Sequence, residues 1–309
     1  MPARVAIFGP HPLLTVALER EGVDERERIH FHAGGQGVWV ARMVGELGAE
    51  PVLCAFVGGE AGALLRPLLA QMPGERRLVE TTSESGCYVV DRRAGEREAL
   101  AFTTSEPCSR HELDALFSIA CAEALACGWL VVANSMPAEA LPLSVYGNLV
   151  ADARANGART LVDLSSPRLD SALTGEPDLV KINDWELAAY VRGPVSEPRQ
   201  LRDAAERLRA AGARSVIVTR GEQPALVLHE GRAWLLIPPR FERGWREGCG
   251  DAMMGVLAAA WARGASFEDA AILGAAAGAA TFLHQGLGSA SRAVVEELAG
   301  AVRVEPFAV

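Results

Sequence analysis

The chain has 309 residues, of which 50% are hydrophobic and 22% are charged, and its formal net charge is −9. This acidic balance argues against a basic surface for nucleic acid. Residues 252–262 are apolar but too few to span a bilayer. The start reads as a short buried strand rather than a signal peptide, and the six cysteines lack zinc or C-x-x-C spacing. A cytoplasmic protein that binds neither nucleic acid nor membrane is expected.

The first third of the chain predicts a small sheet. Residues 13–17, 28–32, 87–91 and 98–102 alternate apolar and polar side chains, and residues 91–95 resemble a hairpin loop. Such strands bury one face only. We expect residues of about 11–33 and 83–104 to form a small antiparallel sheet, which acts as a lid over a cleft or as a dimer surface. No linker rich in Pro, Gly or Ser separates it, so residues 1–309 are expected to form a single domain.

From residue 129 onward, apolar runs alternate with helical patterns. The runs are residues 129–133, 160–163, 178–181 and 215–219, and helices are expected over residues 138–156 and from Asn183 and Pro198. Near-continuous β-branched runs between amphipathic helices are typical of a parallel sheet covered on both faces. The fold class is therefore a doubly wound α/β fold with a mostly parallel sheet.

The run Gly248-Cys249-Gly250-Asp251 opens an apolar helix. Two glycines at a helix N-terminus let the backbone approach an anion, and the first-turn N–H groups and the dipole supply positive potential. Asp251 would repel that anion, but it suits a general base that takes a proton from an attacking hydroxyl. A plain helix cap explains the same pattern.

A second motif, Lys181-Ile182-Asn183-Asp184-Trp185-Glu186, follows a buried strand. Asn183 and Glu186 lie one helical turn apart at the carboxyl end of a parallel strand, where ligands of such sheets bind. They suit a hydrated Mg²⁺, but also a capping box. Two further runs, Gly34-Gly35-Gln36-Gly37 and Thr219-Arg220-Gly221, read as turns when taken alone.

In this order the motifs resemble the phosphofructokinase-B (PfkB) family of ribokinase-like carbohydrate kinases. The family's first signature is similar to residues 33–42, and its second is similar to residues 247–255. Between them, residues 134–137 resemble its small-residue-Pro turn, and Asp163 lies at its core strand end. The similarity covers nearly the whole chain.

The resemblance implies a kinase that uses ATP and Mg²⁺ to phosphorylate a sugar hydroxyl. Asp251 would be the base, the N–H groups of Gly248, Cys249 and Gly250 would form the anion hole, and Asn183 and Glu186 would hold Mg²⁺ through water. The resemblance also implies a homodimer through the lid. The remaining implied contacts are Lys181, Asn183, Glu186, Thr219, Gly221 and His284 for the nucleotide and Gly34, Gly35, Gln36 and Trp39 for the acceptor.

The acceptor side departs from the family pattern. Leu13 and Trp39 stand where an Asp and an Asn usually bind sugar hydroxyls, and Glu84 stands where an Arg grips a sugar phosphate. A phosphorylated acceptor would then need compensation from Arg92, Arg93 or Arg246. Two functions follow: an active kinase of a small hydroxylated molecule, or a nucleotide-binding regulatory homologue that lost its acceptor site. Cys249, beside a helix N-terminus, is expected to have a lowered pKa if exposed.

Overall fold

A computed structural model of the chain describes residues 2–21, 26–94, 97–137, 139–284 and 289–308. The described strands are β1 (Arg4–Phe8), β2 (Leu13–Glu21), β3 (Arg26–Gly34), β4 (Glu50–Gly58), β5 (Glu75–Thr81), β6 (Cys87–Asp91), β7 (Glu98–Thr103), β8 (Trp129–Ala133), β9 (Arg159–Asp163), β10 (Leu179–Asn183), β11 (Val216–Arg220), β12 (Gln223–His229), β13 (Arg232–Ile237) and β14 (Arg303–Pro306). The described helices are α1 (Gln36–Glu46), α2 (Gly59–Ala70), α3 (Arg110–Cys127), α4 (Ser144–Ala155), α5 (Arg168–Leu173), α6 (Asp184–Val191), α7 (Pro198–Ala210), α8 (Cys249–Ala262), α9 (Phe267–Phe282) and α10 (Arg292–Ala299).

Ten of the described strands form one sheet in the order β14-β13-β12-β11-β10-β9-β8-β1-β4-β5. Pairing is parallel from β11 through β5, and antiparallel from β11 to β14. The predicted doubly wound, mostly parallel sheet is confirmed. Strand β1 has β4 on one side and β8 on the other, so the order of the strands along the chain reverses beside it. Crevices at such reversal points are the usual ligand sites of open α/β sheets.

Buried apolar side chains cover both faces of this sheet. One cluster joins the sheet to α1, α2, α8, α9 and α10, and the other joins it to α3, α4, α5, α6 and α7. Helices α1 and α8 approach closely, since a Cβ placed on Gly255 would lie only 2.6 Å from the carbonyl oxygen of Val40. Because Gly255 has no side chain, α8 can pack directly against the backbone of α1.

The second sheet, called the lid sheet below, has the order β3-β2-β6-β7. Its two outer pairs are antiparallel, as predicted, while the central pair β2–β6 is parallel. The parallel pair arises because the chain returns to the lid only after it has passed through β4, α2 and β5 of the core. Residues 22–25 and 95–96, which the prediction included in the lid and its loop, lie outside the described residues.

The helix predicted over residues 138–156 is shorter, because α4 begins at Ser144. Pro142 disfavours helical backbone at the residue before it, which delays the start of the helix. Ala138 itself lies outside the described residues. None of the described helices is long and apolar enough to cross a bilayer.

Candidate active site

The N-terminus of α8 carries the predicted catalytic run. Gly248 is the N-cap residue with φ of 78°, a left-handed conformation that favours glycine, and Asp251 lies in the first helical turn. A Cβ on Gly250 would lie 2.7 Å from the Nζ atom of Lys181, so glycine at this position lets the first turn of α8 lie close to that ammonium group. First-turn N–H groups of a helix lack partners within it, although the N–H of Cys249 donates to the Arg246 carbonyl at 3.4 Å.

Asp251 is buried, and it forms a wall of a cavity of about 380 Å³. Burial, and then the nearby Asp163 carboxylate, raise the pKa of Asp251 to about 7 from an ordinary value of 3.8. The Gln36 side chain hydrogen-bonds to this carboxyl group, and its own carbonyl accepts the N–H of Asn134. The amide therefore fixes the orientation of a group that exchanges a proton near neutral pH.

Beneath Gly250 lies a buried ion pair. The Nζ atom of Lys181 donates to Oδ2 of Asp163 at 2.6 Å, and both side chains are less than a tenth exposed. Burial favours the neutral amine, but Asp163, Asp251 and Glu186 hold the pKa of Lys181 above its usual value. The structure thus places the predicted Lys181 beneath Gly250, already bonded to Asp163.

Asn183 and Glu186 form the capping box that was the alternative explanation of their spacing. Oδ1 of Asn183 accepts the N–H of Glu186 at 2.9 Å, and Oε2 of Glu186 accepts the N–H of Asn183 at 3.2 Å. Burial, followed by the Asp163 charge, raises the pKa of Glu186. The box occupies one carboxylate oxygen, so it does not exclude a second contact through Oε1.

The remaining residues predicted for the nucleotide lie along the neighbouring strands and helix. Thr219 pairs with Asn183 in the β10–β11 register, and Gly221 follows β11 in a turn with φ of 61°. His284 lies two residues after α9, is exposed, and donates its N–H to the Thr281 carbonyl. Within the described ranges, none of the three lines the cavity that contains Asp251.

Three of the four residues predicted for the acceptor line that cavity, together with Asp251. They are Gly35, Gln36 and Trp39, whereas Gly34 lies behind the wall against Thr15. The lid sheet closes the cavity from the other side. Two larger clefts of about 520 and 500 Å³ contain neither Asp251 nor any residue of the runs 34–37 and 248–250.

The cavity also has polar residues that the sequence reasoning missed. His11 is 8% exposed, and neither of its ring nitrogens has a hydrogen-bond partner among the described residues. Burial, and then the charge of Arg168, lower its pKa to about 4, so the ring is neutral at pH 7. Oδ1 of Asn134 is likewise buried without a partner in the described chain. Buried polar atoms without partners are costly, and these atoms are available to a ligand bound in the cavity.

A weak signal for His11 existed, because it follows the carboxyl end of a central strand, where sites of such sheets lie. No local motif indicated Arg97, which also lines the cavity. Its place there depends on pairing within the lid sheet.

Comparison with known proteins identifies the family of the chain. Residues 12–293 match the family described as pfkB family carbohydrate kinase. The chain belongs to this family. It is therefore placed among the phosphotransferases that use an alcohol acceptor.

Individual relatives are similar over most of their length. The chain is 30% identical to the ATP-dependent 6-phosphofructokinase isozyme 2 of Escherichia coli over 263 residues, which cover 83% of both chains. It is 31% identical to a 1-phosphofructokinase of Rhodobacter capsulatus over 255 residues, with 79% and 78% coverage. The structure of E. coli phosphofructokinase-2 with potassium aligns with a TM-score of 0.84 at 27% identity, over 97% and 99% of the two chains. Arabidopsis thaliana ribokinase, at 18% identity and a TM-score of 0.72, shares the fold.

Glu84, which departs from the pfkB family pattern, does not line the cavity that contains Asp251. Its carboxylate accepts the N–H groups of Glu60 at 3.1 Å and Ala61 at 2.8 Å, and so it caps the N-terminus of α2. The expectation that Glu84 repels an acceptor anion is therefore wrong. The three arginines considered as substitutes are bonded elsewhere: Arg92 to Glu19, Arg93 to Asp91 and Glu27, and Arg246 to Glu222.

The condition for a lowered pKa of Cys249, an exposed thiol, is not met. Burial, followed by the charges of Asp251 and Glu247, raises the pKa of this thiol to about 12, and its Sγ donates to the carbonyl of Trp245 at 3.2 Å. The effect of the helix N-terminus does not overcome two neighbouring carboxylates and a largely dry environment.

Proposed function

We propose that this pfkB kinase transfers the γ-phosphoryl group of ATP to a hydroxyl of a sugar or sugar-like molecule, with Asp251 as the general base. The observation that carries the proposal is the position of Asp251 in the acceptor cavity, oriented by Gln36, with a pKa of about 7. The proton of the acceptor hydroxyl passes to Asp251 while the hydroxyl oxygen bonds to the γ-phosphorus. At the same time the bond between the γ-phosphorus and the oxygen that leaves with ADP breaks. A base of this kind contributes ~10²–10⁴-fold.

The N-terminus of α8 fits the phosphate groups of a nucleotide. Gly248 and Gly250 have no side chains there, and a Cβ on Gly250 would crowd the ammonium group of Lys181. Backbone N–H groups and the helix dipole stabilise negative charge on the transferred group without a basic side chain in contact. Lys181 adds positive potential from beneath, although Asp163 neutralises part of it.

Mg²⁺ would be held mainly by phosphate oxygens and water, with Glu186 and Asn183 in support. No group of three His, Cys, Asp or Glu that suits a metal occurs in the described part of the chain. Mg²⁺ keeps several waters and needs only one or two carboxylates when phosphates are present. Bound in this way, it would neutralise charge on the phosphates.

His11 and Asn134 are proposed to bind the hydroxyl groups of the acceptor. A neutral imidazole both donates and accepts a hydrogen bond, so His11 can replace the carboxylate missing at Leu13. This retained polar cavity favours an active kinase over a regulatory homologue that has lost its acceptor site.

A homodimer through the lid sheet is part of the proposal. The sheet exposes four large apolar side chains, Ile29, Phe31, Leu100 and Phe102, which are 45–61% exposed. Burying such side chains stabilises association. Sedimentation of the wild-type chain beside an Ile29→Glu, Leu100→Glu variant tests this; equal monomeric profiles would contradict it.

The function is tested by measuring ADP release with ATP, Mg²⁺ and a panel of sugars, sugar phosphates and nucleosides. We expect turnover of at least one acceptor, and its loss in Asp251→Asn while ATP binding measured by calorimetry persists. ATP binding without any acceptor-dependent turnover would instead support the regulatory alternative.

A further inference from the structure

The acceptor cavity contains a buried guanidinium group. The side chain of Arg97, the residue before β7, is only 11% exposed. Its Nε and Nη1 atoms have no hydrogen-bond partner among the residues that the structure describes. A charge held out of water without partners is strongly unfavourable, which indicates that a bound molecule supplies them.

Two neighbours hold this guanidinium in place. It lies over the Tyr88 ring with its carbon 4.8 Å from the ring centroid, an arrangement that attracts the cation and leaves its in-plane N–H groups available. Oε2 of Glu247 is 3.4 Å from Nη1, outside hydrogen-bond alignment, and that glutamate is half exposed. The pair therefore compensates the charge only weakly, because a solvent-exposed carboxylate is well screened.

The other polar groups around the cavity are neutral or have a separate role. His11 is neutral at pH 7, and Asn134 and Gln36 are amides. Among the lining residues that the structure describes, the charged ones are Arg97 and Asp251. Since Asp251 faces the reacting hydroxyl in the proposed function, Arg97 is left to a second, negatively charged part of the acceptor.

We propose that Arg97 determines the acceptor class, which is a hydroxylated molecule with an anionic group, either a phosphate ester or a carboxylate. A guanidinium binds both groups through two parallel hydrogen bonds. This inference rests on the proposed kinase function, because that function defines the cavity as the acceptor site. Arg97 would then supply the cation that Arg92, Arg93 and Arg246, which are paired with carboxylates elsewhere, do not supply.

The test compares matched acceptors that differ in charge. Fructose, fructose 1-phosphate, fructose 6-phosphate and gluconate are assayed with ATP and Mg²⁺, using wild type, Arg97→Gln, Arg97→Lys and the control Arg246→Gln. The control removes a nearby exposed cation that is paired with Glu222.

We expect an anionic acceptor to be preferred by wild type and by the control. Arg97→Gln should raise the KM for that acceptor on the order of 10²-fold, as for a lost buried charge pair, with the KM for ATP unchanged and partial recovery in Arg97→Lys. The esters and gluconate distinguish phosphate from carboxylate. A preference for fructose, or a loss in Arg97→Gln confined to kcat as for a residue that touches the transferred phosphoryl group, would overturn the proposal.

Failure of the kinase function itself is distinguishable. If no acceptor is turned over, calorimetry with the same four compounds and no nucleotide still measures the site. Binding of an anionic compound that Arg97→Gln abolishes supports the inference, whereas equal binding by both proteins, or none by wild type, refutes it.

Discussion

Replacing Asp163 with Asn should make the kinase active at lower pH. The pKa of Asp251 is about 7 rather than 3.8 because of burial and then the Asp163 charge, while Lys181 acts in the opposite direction. This difference of roughly 3 pH units corresponds to about 4 kcal/mol against the ionised base. Asp163→Asn removes one like charge and leaves the Lys181 ammonium to interact with Asp251, so the pKa of Asp251 falls.

The expected displacement is on the order of one pH unit, because burial, the largest cause, is unchanged. The base must be deprotonated to act, so activity falls as the pH decreases through the pKa of Asp251. The low-pH limb of kcat/KM, measured by ADP release between pH 5.5 and 9, should move to lower pH in Asp163→Asn. In Lys181→Met it should move to higher pH, since the favourable cation is removed.

The two variants are expected to move the low-pH limb in opposite directions. Movement of both variants in the same direction, or no movement in either, would show that Asp251 does not set the low-pH limb. Thermal unfolding across the same pH range is the control, because leaving one partner of a buried ion pair alone typically costs 3–5 kcal/mol. The rates are compared only where both variants are folded.

Three further outcomes are expected. Asp251→Asn should be more stable than wild type by a few kcal/mol above pH 7, and this difference should vanish towards pH 4. The reason is that the pKa of Asp251 is higher in the folded than in the unfolded protein, so wild type loses stability as the pH rises between these two values. Denaturant titration at several pH values measures the difference. Glu84→Gln should lower stability by about 1 kcal/mol without changing the acceptor KM, whereas Glu60→Gln, which removes a charge from the same helix end but no cap bond, should cost less; an altered acceptor preference would contradict the capping role. Gly250→Ala should reduce kcat more than tenfold while remaining folded, since its Cβ would lie 2.7 Å from the ammonium beneath it, and Gly193→Ala, with its nearest contact at 4.0 Å, should be nearly neutral in the same ADP assay.

Much of the core was predictable because its signals are local. Apolar runs such as residues 129–133 and 215–219 have the composition of buried parallel strands, and the observed strands include Trp129–Ala133 and Val216–Arg220. The glycines before Asp251 predicted the start of a helix, and α8 begins at Cys249. The helix boundary near Pro142 was predicted too early, since α4 begins at Ser144.

The roles of individual polar residues were harder to predict, because one spacing serves two purposes. Asn183 and Glu186 have the spacing of a capping box and of a metal-organising pair, and the hydrogen bonds establish the first without excluding the second. Glu84 was assigned to the acceptor from its alignment alone, but its carboxylate points to the end of α2. Sequence position does not give side-chain direction when the backbone between two strands is irregular.

By itself, the sequence determined the family, the α/β class and the place of the proposed catalytic run, since ordered motifs and strand composition are properties of the chain. The tertiary structure decided which polar groups share the acceptor cavity. Arg97, His11 and Asn134 lie far apart in sequence and meet because the lid sheet closes over the carboxyl ends of the core strands. The pKa of Asp251 was likewise decided by the fold, because burial and the neighbouring Asp163 and Lys181 act through space rather than along the chain.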